Sequence, residues 1–297
     1  MRSVALGVSM LPDTDLANFD AFTTSVGRAP AIWSLWDYWG GSASAFPDTT
    51  LLDGLRNGGA VPFVWWMPGD PNNPDSASFR YSTIIAGDYD VYIRDWATAA
   101  QAWGGTILLR FAQEMNGPWF PWGMRFNNTP KRFVKAWRHV WNIFRGPNGV
   151  GATNVKFVWS PYAPCANLGC ASYASLYPGD KYVDYAGFSE FNWGGSSWSS
   201  MKKTFAPSMR ALAAITSKPV IVGETGSSPN GGNKAAWIAQ GYPAVYSKFP
   251  KITAIVYFDV DARNNVDNQQ DWRLTSQAAL DAYAALLTEP RFEGSIP

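Results

Sequence analysis

Histidine is all but missing from this 297-residue chain, and cysteine and charge are scarce. The lone His139 lies between Trp137 and Trp141 in a helical segment, where a surface or packing role is expected. That leaves no Ser-His-Asp or Cys-His arrangement to argue for. Two cysteines and one histidine are too few for an ordinary zinc site. Charged residues make up only 16% and the net charge is +1, so there is no basic surface of the kind that neutralises phosphates, and no nucleic-acid partner is expected. Gly194-Gly195 and Gly231-Gly232 lack the strand, loop and Lys-Ser/Thr context of a phosphate cradle. No run approaches the roughly 20 apolar residues of a membrane helix, so no membrane role is expected. The N-terminus lacks the basic and apolar regions of a leader, which leaves export open because Met1 can be an added start.

Aromatic residues are abundant, with 16 Trp, 13 Tyr and 17 Phe in a composition that is 46% hydrophobic. That is enough for one large core, and a single α/β barrel needs about 250 residues. Eight short, nearly continuous apolar runs read as strands covered on both faces, at 4–9, 31–35, 61–65, 106–111, 155–159, 185–188, 219–222 and 254–258. Helical segments alternate with them at 16–25, 49–57, 88–103, 131–144, 201–216, 234–248 and 276–287. In 131–144, Phe133, Trp137, Val140, Trp141 and Phe144 recur on one face behind Thr129-Pro130. Without a linker or composition break, the pattern predicts one (β/α)8 TIM-barrel domain over 1–297. The long insertions 36–47, 67–86, 115–128 and 161–184 all follow strands, which is where such a barrel builds its cleft.

Two strand ends carry chemistry. Leu108-Leu109-Arg110-Phe111-Ala112-Gln113-Glu114-Met115-Asn116-Gly117 ends an apolar run in a polar cluster with one carboxyl, and Pro219-Val220-Ile221-Val222-Gly223-Glu224-Thr225-Gly226 has the same build. Glycoside hydrolysis needs two convergent carboxyls, one to protonate the leaving oxygen and one to act as nucleophile or base.

Together with Leu176-Tyr177-Pro178-Gly179-Asp180-Lys181-Tyr182-Val183-Asp184-Tyr185-Ala186-Gly187-Phe188, Trp36-Asp37-Tyr38, Tyr257-Phe258-Asp259 and Asp271-Trp272-Arg273, these runs make nearly the whole chain resemble glycoside hydrolase family 26. That family of β-mannanases, with some β-glucanases and β-xylanases, belongs to a clan of retaining barrels with the acid/base on strand 4 and the nucleophile on strand 7. The resemblance implies Glu114 as acid/base, Glu224 as nucleophile and Arg110 as the cation keeping Glu224 ionised, with Glu224 helping to hold a proton on Glu114. It also exposes two departures. Gln113 stands where the family usually has histidine, and Phe191 stands where it commonly has a tyrosine that orients the nucleophile. Gln113 still offers an amide; for the missing hydroxyl, Glu190, Tyr162 or a water is expected to compensate.

Asn116, Trp119, Trp122, Trp193, Tyr257 and Trp272 are the expected substrate contacts, the tryptophans as platforms for sugar faces. Trp137 and Trp141 are expected in the core. Cys165 and Cys170, five apart in a turn-rich loop, can close a small disulfide ring suited to an oxidising compartment or remain two thiols. Asp259, Asp261, Asp267 and Asp271 fit no calcium loop and read as solvated carboxylates. The expectation is therefore a secreted, monomeric, cofactor-free retaining endo-β-glycanase acting on a polysaccharide or oligosaccharide. β-1,4-Mannan leads, with mixed-linkage β-1,3-1,4-glucan, β-1,3-xylan and a non-catalytic carbohydrate-binding barrel as alternatives.

Overall fold

Strands that are apolar on both faces can be covered completely only if they close on themselves and are wrapped by helices. The computed structural model, which describes residues 2–41, 45–265 and 269–296, has that arrangement. β1 (Ala5–Ser9), β2 (Ile32–Tyr38), β3 (Val61–Met67), β4 (Ile107–Phe111), β5 (Val155–Trp159), β6 (Tyr185–Ser189), β7 (Val220–Thr225) and β8 (Ile252–Phe258) form a closed parallel barrel in sequence order. Helices α1 (Leu16–Val26), α2 (Thr49–Asn57), α3 (Tyr81–Ala86), α4 (Asp90–Trp103), α5 (Pro130–Arg145), α6 (Tyr173–Leu176), α7 (Met201–Ala213), α8 (Lys234–Lys248) and α9 (Gln277–Leu287) lie along its outside.

The helix ends follow local chemistry. Asp15 accepts a bond from the Ala17 N–H at 2.8 Å to open α1, and Gly27 closes it in the left-handed conformation. The Thr129 hydroxyl accepts from the Arg132 N–H ahead of Pro130 in α5. α5 then buries Phe133, Trp137, Val140 and Phe144, while Trp141 is half-buried against Tyr182. His139 lies on the outer side and pairs with Asp90 of α4 at 2.6 Å.

Two elements depart from the periodicity. α3 and α6 fall in stretches expected to be loop; both are short, and Arg80 at the head of α3 makes no capping bond. Tertiary contacts hold α3 instead, because the Tyr81 N–H donates to Asn128 and its ring packs edge-on against Phe133. β2, β3 and β7 also run past their apolar stretches, so Trp36, Asp37, Tyr38, Trp66, Met67, Glu224 and Thr225 are strand residues. In β7 this leaves Glu224 set by sheet geometry rather than by a loop.

Candidate active site

Parallel register places the key side chains. Trp36 of β2 is the Cα partner of Trp65 of β3, and Trp65 is the partner of Arg110 of β4. The three therefore share one face, with the two indoles stacked at 5.1 Å and the guanidinium over Trp65 at 4.9 Å. On the other side of the barrel Ser189 of β6 is the partner of Glu224 of β7. The fully buried Arg110 joins the two halves, one guanidinium nitrogen bonding the Glu224 carboxylate and another the Ser189 hydroxyl. The Ser189 hydroxyl also donates to Glu224 at 3.4 Å. Gly223 permits this: a Cβ there would lie 3.1 Å from Arg110 Nε and 3.0 Å from Ser160 Oγ.

Glu114 reaches the same mouth by a different route. Just past β4 the chain takes positive φ at Ala112 (51°) and Glu114 (53°), a conformation costly for residues with a Cβ. Two backbone bonds hold it there, Ala112 N–H to Trp66 O and Glu114 N–H to Ser160 O, both 3.0 Å. The Trp119 indole N–H donates to Glu114 Oε2 at 2.8 Å. Gly117 leaves room for Trp119 to fold back, since any Cβ there would meet the indole ring.

Burial is the main influence on both carboxyls. It raises Glu114 to about 8, helped by the charge of Glu224 and opposed by Arg110 and Trp119. Burial also pushes Glu224 upward, but Arg110 and Ser189 bond it directly and favour its charge. The two carboxyls thus differ in surroundings, Glu224 bonded directly by a cation and a hydroxyl and Glu114 by one indole N–H.

Between them opens a cleft of about 710 Å³. One end is apolar, where Trp36, Trp65 and Phe258 lie nearly parallel (interplanar angles 9–19°) beside Tyr38 and Leu11. The other end holds Trp119, Tyr162, Trp193 and Leu168. Tyr162 packs edge-on against Trp119 at 5.1 Å, and its hydroxyl accepts from the Trp193 indole at 3.0 Å. Such a surface offers flat apolar faces to sugar rings and two differently biased carboxyls to a glycosidic bond. A sequence profile of glycosyl hydrolase family 26 matches residues 72–227. The chain belongs to that family. It is 37% identical to Endoglucanase H of Acetivibrio thermocellus over 78% of this chain, and spans 25% of that protein. It is 26% identical to a mannan endo-1,4-beta-mannosidase of Bacillus subtilis over 79% of this chain and 68% of the other. In fold it resembles the family 26 β-mannanase of Bacteroides ovatus (TM-score 0.73, 17% identity, 98% of this chain and 90% of that one). A modular mannanase of Cellulomonas fimi is similar (TM-score 0.72, 17% identity, 98% and 71%).

Within the family frame, several expected contacts lie under the cleft instead of in it. Trp122 is buried, donates to the Gln113 carbonyl at 2.7 Å and stacks beneath Phe120. Trp272 is buried against Phe191 and Trp193 as their support. Tyr257 is buried with its hydroxyl on the Trp272 carbonyl. Asn116 is buried too, and exchanges two bonds with the Tyr162 backbone at 2.9 and 2.7 Å. These four shape the walls, whereas Trp119 and Trp193 line the opening. Gln113 also lines it, with its side-chain oxygen buried and unbonded.

Phe191 faces the cleft without a hydroxyl, and its absence is made good by neither Glu190 nor Tyr162. Glu190 accepts instead from Ser208 at 2.6 Å, and burial raises it to about 7. Ser189 and Arg110 bond the Glu224 carboxylate instead. Nothing in the sequence singles out Ser189; only its register against Glu224 does. Cys165 and Cys170 are bridged, with Cα atoms 5.2 Å apart. Of the aspartates after β8, Asp261 is exposed as expected, while Asp259 and Asp271 are half-buried, and all three have partners. Asp261 and Asp271 pair with Arg263 and Arg273 at 2.6–3.8 Å, and Asp259 accepts from the Leu274 N–H at 2.6 Å. Asp267 lies outside the described residues.

Proposed function

We infer that this family 26 chain is a retaining endo-β-glycanase whose nucleophile is Glu224 and whose acid/base is Glu114. The observation that carries this reading is the unequal environment of two buried carboxyls on one aromatic cleft. Glu224 is bonded by Arg110 and Ser189, while Glu114 is raised to about 8 beside its charge. Glu224 attacks the anomeric carbon as Glu114 gives its proton to the leaving oxygen. Having lost that proton, Glu114 takes one from a water, which then attacks the glycosyl enzyme and restores the β-anomer. Trp36, Trp65 and Phe258 hold the glycone, while Trp119, Tyr162 and Trp193 hold the leaving chain. Leu11 after β1 and Leu168 after β5 stand on opposite strands of an eight-strand ring, so the cleft crosses the whole mouth, as internal attack on a polymer requires.

The mannosidase relatives make β-1,4-mannan the leading substrate. Mixed-linkage β-glucan is the second reading, favoured by Gln113 in place of histidine and by the 37% identity to Endoglucanase H. The Cys165–Cys170 bridge supports action outside the cell, where disulfides persist.

Following the anomer first released from mannan or barley β-glucan by proton NMR tests the mechanism. Initial release of the β-anomer is expected, and α-anomer sinks the assignment of Glu224. Glu114→Ala should still cleave substrates whose leaving group needs no proton and form a β-glycosyl azide with azide, whereas Glu224→Ala should be inert.

A further inference from the structure

The structure exposes four large apolar side chains among the described residues, and their placement is uneven. Leu11 (46% exposed), Leu168 (59%) and Trp193 (37%) all rim the cleft, whereas Val91 (77%) stands elsewhere. Single exposed apolar residues are ordinary on protein surfaces, but three of four on one opening are not a random scatter. Trp193 has an indole bond and edge-on ring partners to explain its position. Leu168 has no comparable support from the fold, and it lies at the tip of the ring closed by Cys165 and Cys170.

That ring is built to stay in place. Cys165 O accepts from the Leu168 and Cys170 N–H groups at 2.9 and 3.2 Å, and Gly169 turns the chain with φ 78°. At its base the Ala171 N–H donates to Asn116 O at 2.9 Å. Asn116 is two residues beyond Glu114 and is bonded twice to Tyr162. The ring is thus fastened to the segment carrying the proton donor, on the β4–β5 side of the mouth. A leaving sugar must lie on that side, because its oxygen receives the Glu114 proton.

Resting on the proposed glycanase activity, we propose that the Cys165–Cys170 ring forms a leaving-group subsite in which Leu168 packs against the apolar face of a β-linked hexose beyond the cleaved bond. The bridge keeps the short ring ordered before substrate arrives, so little ordering cost falls on binding. The ring acts on polymers and oligosaccharides, and has nothing to grip in a substrate whose leaving group is a single atom.

The test compares kcat/KM on a manno- or gluco-oligosaccharide with kcat/KM on the glycosyl fluoride of the same glycone. Leu168→Ser should lower the oligosaccharide-to-fluoride ratio about tenfold, as loss of one apolar contact on a sugar face predicts. The pair Cys165→Ser/Cys170→Ser should lower it in the same direction, and Val91→Ser should leave it unchanged. A ratio for Leu168→Ser within twofold of wild type overturns the proposal. Wild-type protein that turns over neither substrate refutes the glycanase reading instead, and the ring is then judged by oligosaccharide affinity. Leu168→Ser must weaken that affinity at least fivefold, and an unchanged affinity overturns the ring.

Discussion

Replacing Trp119 by phenylalanine removes one hydrogen bond from Glu114 while keeping an aromatic surface in the cleft. The bond from the indole N–H, at 2.8 Å, favours the ionised carboxyl and opposes the burial and Glu224 charge that leave Glu114 at about 8 with the bond in place. A hydrogen bond to a charged group contributes about 1.5–3 kcal/mol. Trp119 is half-buried and the protonated acid keeps part of the bond, so roughly 1 kcal/mol separates the two protonation states, or about 0.7 of a pH unit. In the proposed mechanism glycosylation needs the proton on Glu114, so activity is present below its pKa and is lost as pH rises through it. Trp119→Phe should therefore move the alkaline limb of kcat/KM upward, from near 8 toward 9, while lowering the plateau through a poorer sugar contact. The assay is kcat/KM against pH on an unactivated oligosaccharide, with a dinitrophenyl glycoside as control. The limb should flatten on the control, whose leaving group needs no proton. A limb that stays put or moves down in the mutant refutes the assignment of Glu114 as the acid held by Trp119.

Arg110→Gln strips the buried carboxylate of its cation, so the acid limb set by Glu224 should rise toward neutrality and kcat should fall at least about a hundredfold, a barrier increase of about 2.7 kcal/mol; a pH–rate profile with an unmoved acid limb speaks against the pairing. Ser189→Ala should shift that limb in the same direction by less, because Arg110 remains, and equal shifts for the two variants would count against the ranking. Gln113→His should raise the ratio of kcat/KM on mannan to that on barley β-glucan if glutamine is an adaptation to glucan, and an unchanged ratio removes that reading. Asp37, buried with Trp96 as donor, is pushed from 3.8 to about 8, so the folded protein holds a proton there that the unfolded chain releases. Its contribution to stability is present at low pH and is lost as pH rises through that window, by up to about 1.4 kcal/mol per pH unit. Asp37→Asn should flatten the pH dependence of the urea midpoint there, and an unaltered slope contradicts the buried protonated acid.

The barrel was legible because each strand is a nearly continuous apolar run and each long insertion follows one, a pattern that burial on both faces explains. Glu114 and Glu224 were legible for a related reason, as carboxyls where apolar runs meet the mouth. What stayed hidden was which way side chains turn once the chain leaves the sheet. Trp119 and Trp122 are three residues apart in one loop, yet one opens to the cleft and the other lies beneath Phe120. Trp193 and Trp272 divide in the same way, surface and support. Ser189 was invisible because a serine ending a strand has no signature until its Cα partner is known. α3 was missed because its stability comes from Asn128 and Phe133, distant in sequence.

The positive φ values at Ala112 and Glu114 set the two carboxyls apart in how each is placed. Glu224 is held by its own strand, so little short of rebuilding β7 displaces it. Glu114 keeps its unfavourable backbone with the help of Trp66 near the end of β3 and Ser160 after β5, each of which accepts one of its segment's N–H groups. Small changes at those two neighbouring strand tips can therefore re-aim the Glu114 carboxyl while Glu224 stays in place on β7. The aim of Glu114 thus depends on residues at the tips of β3 and β5 that do not bond Glu224, and the two carboxyls are positioned independently.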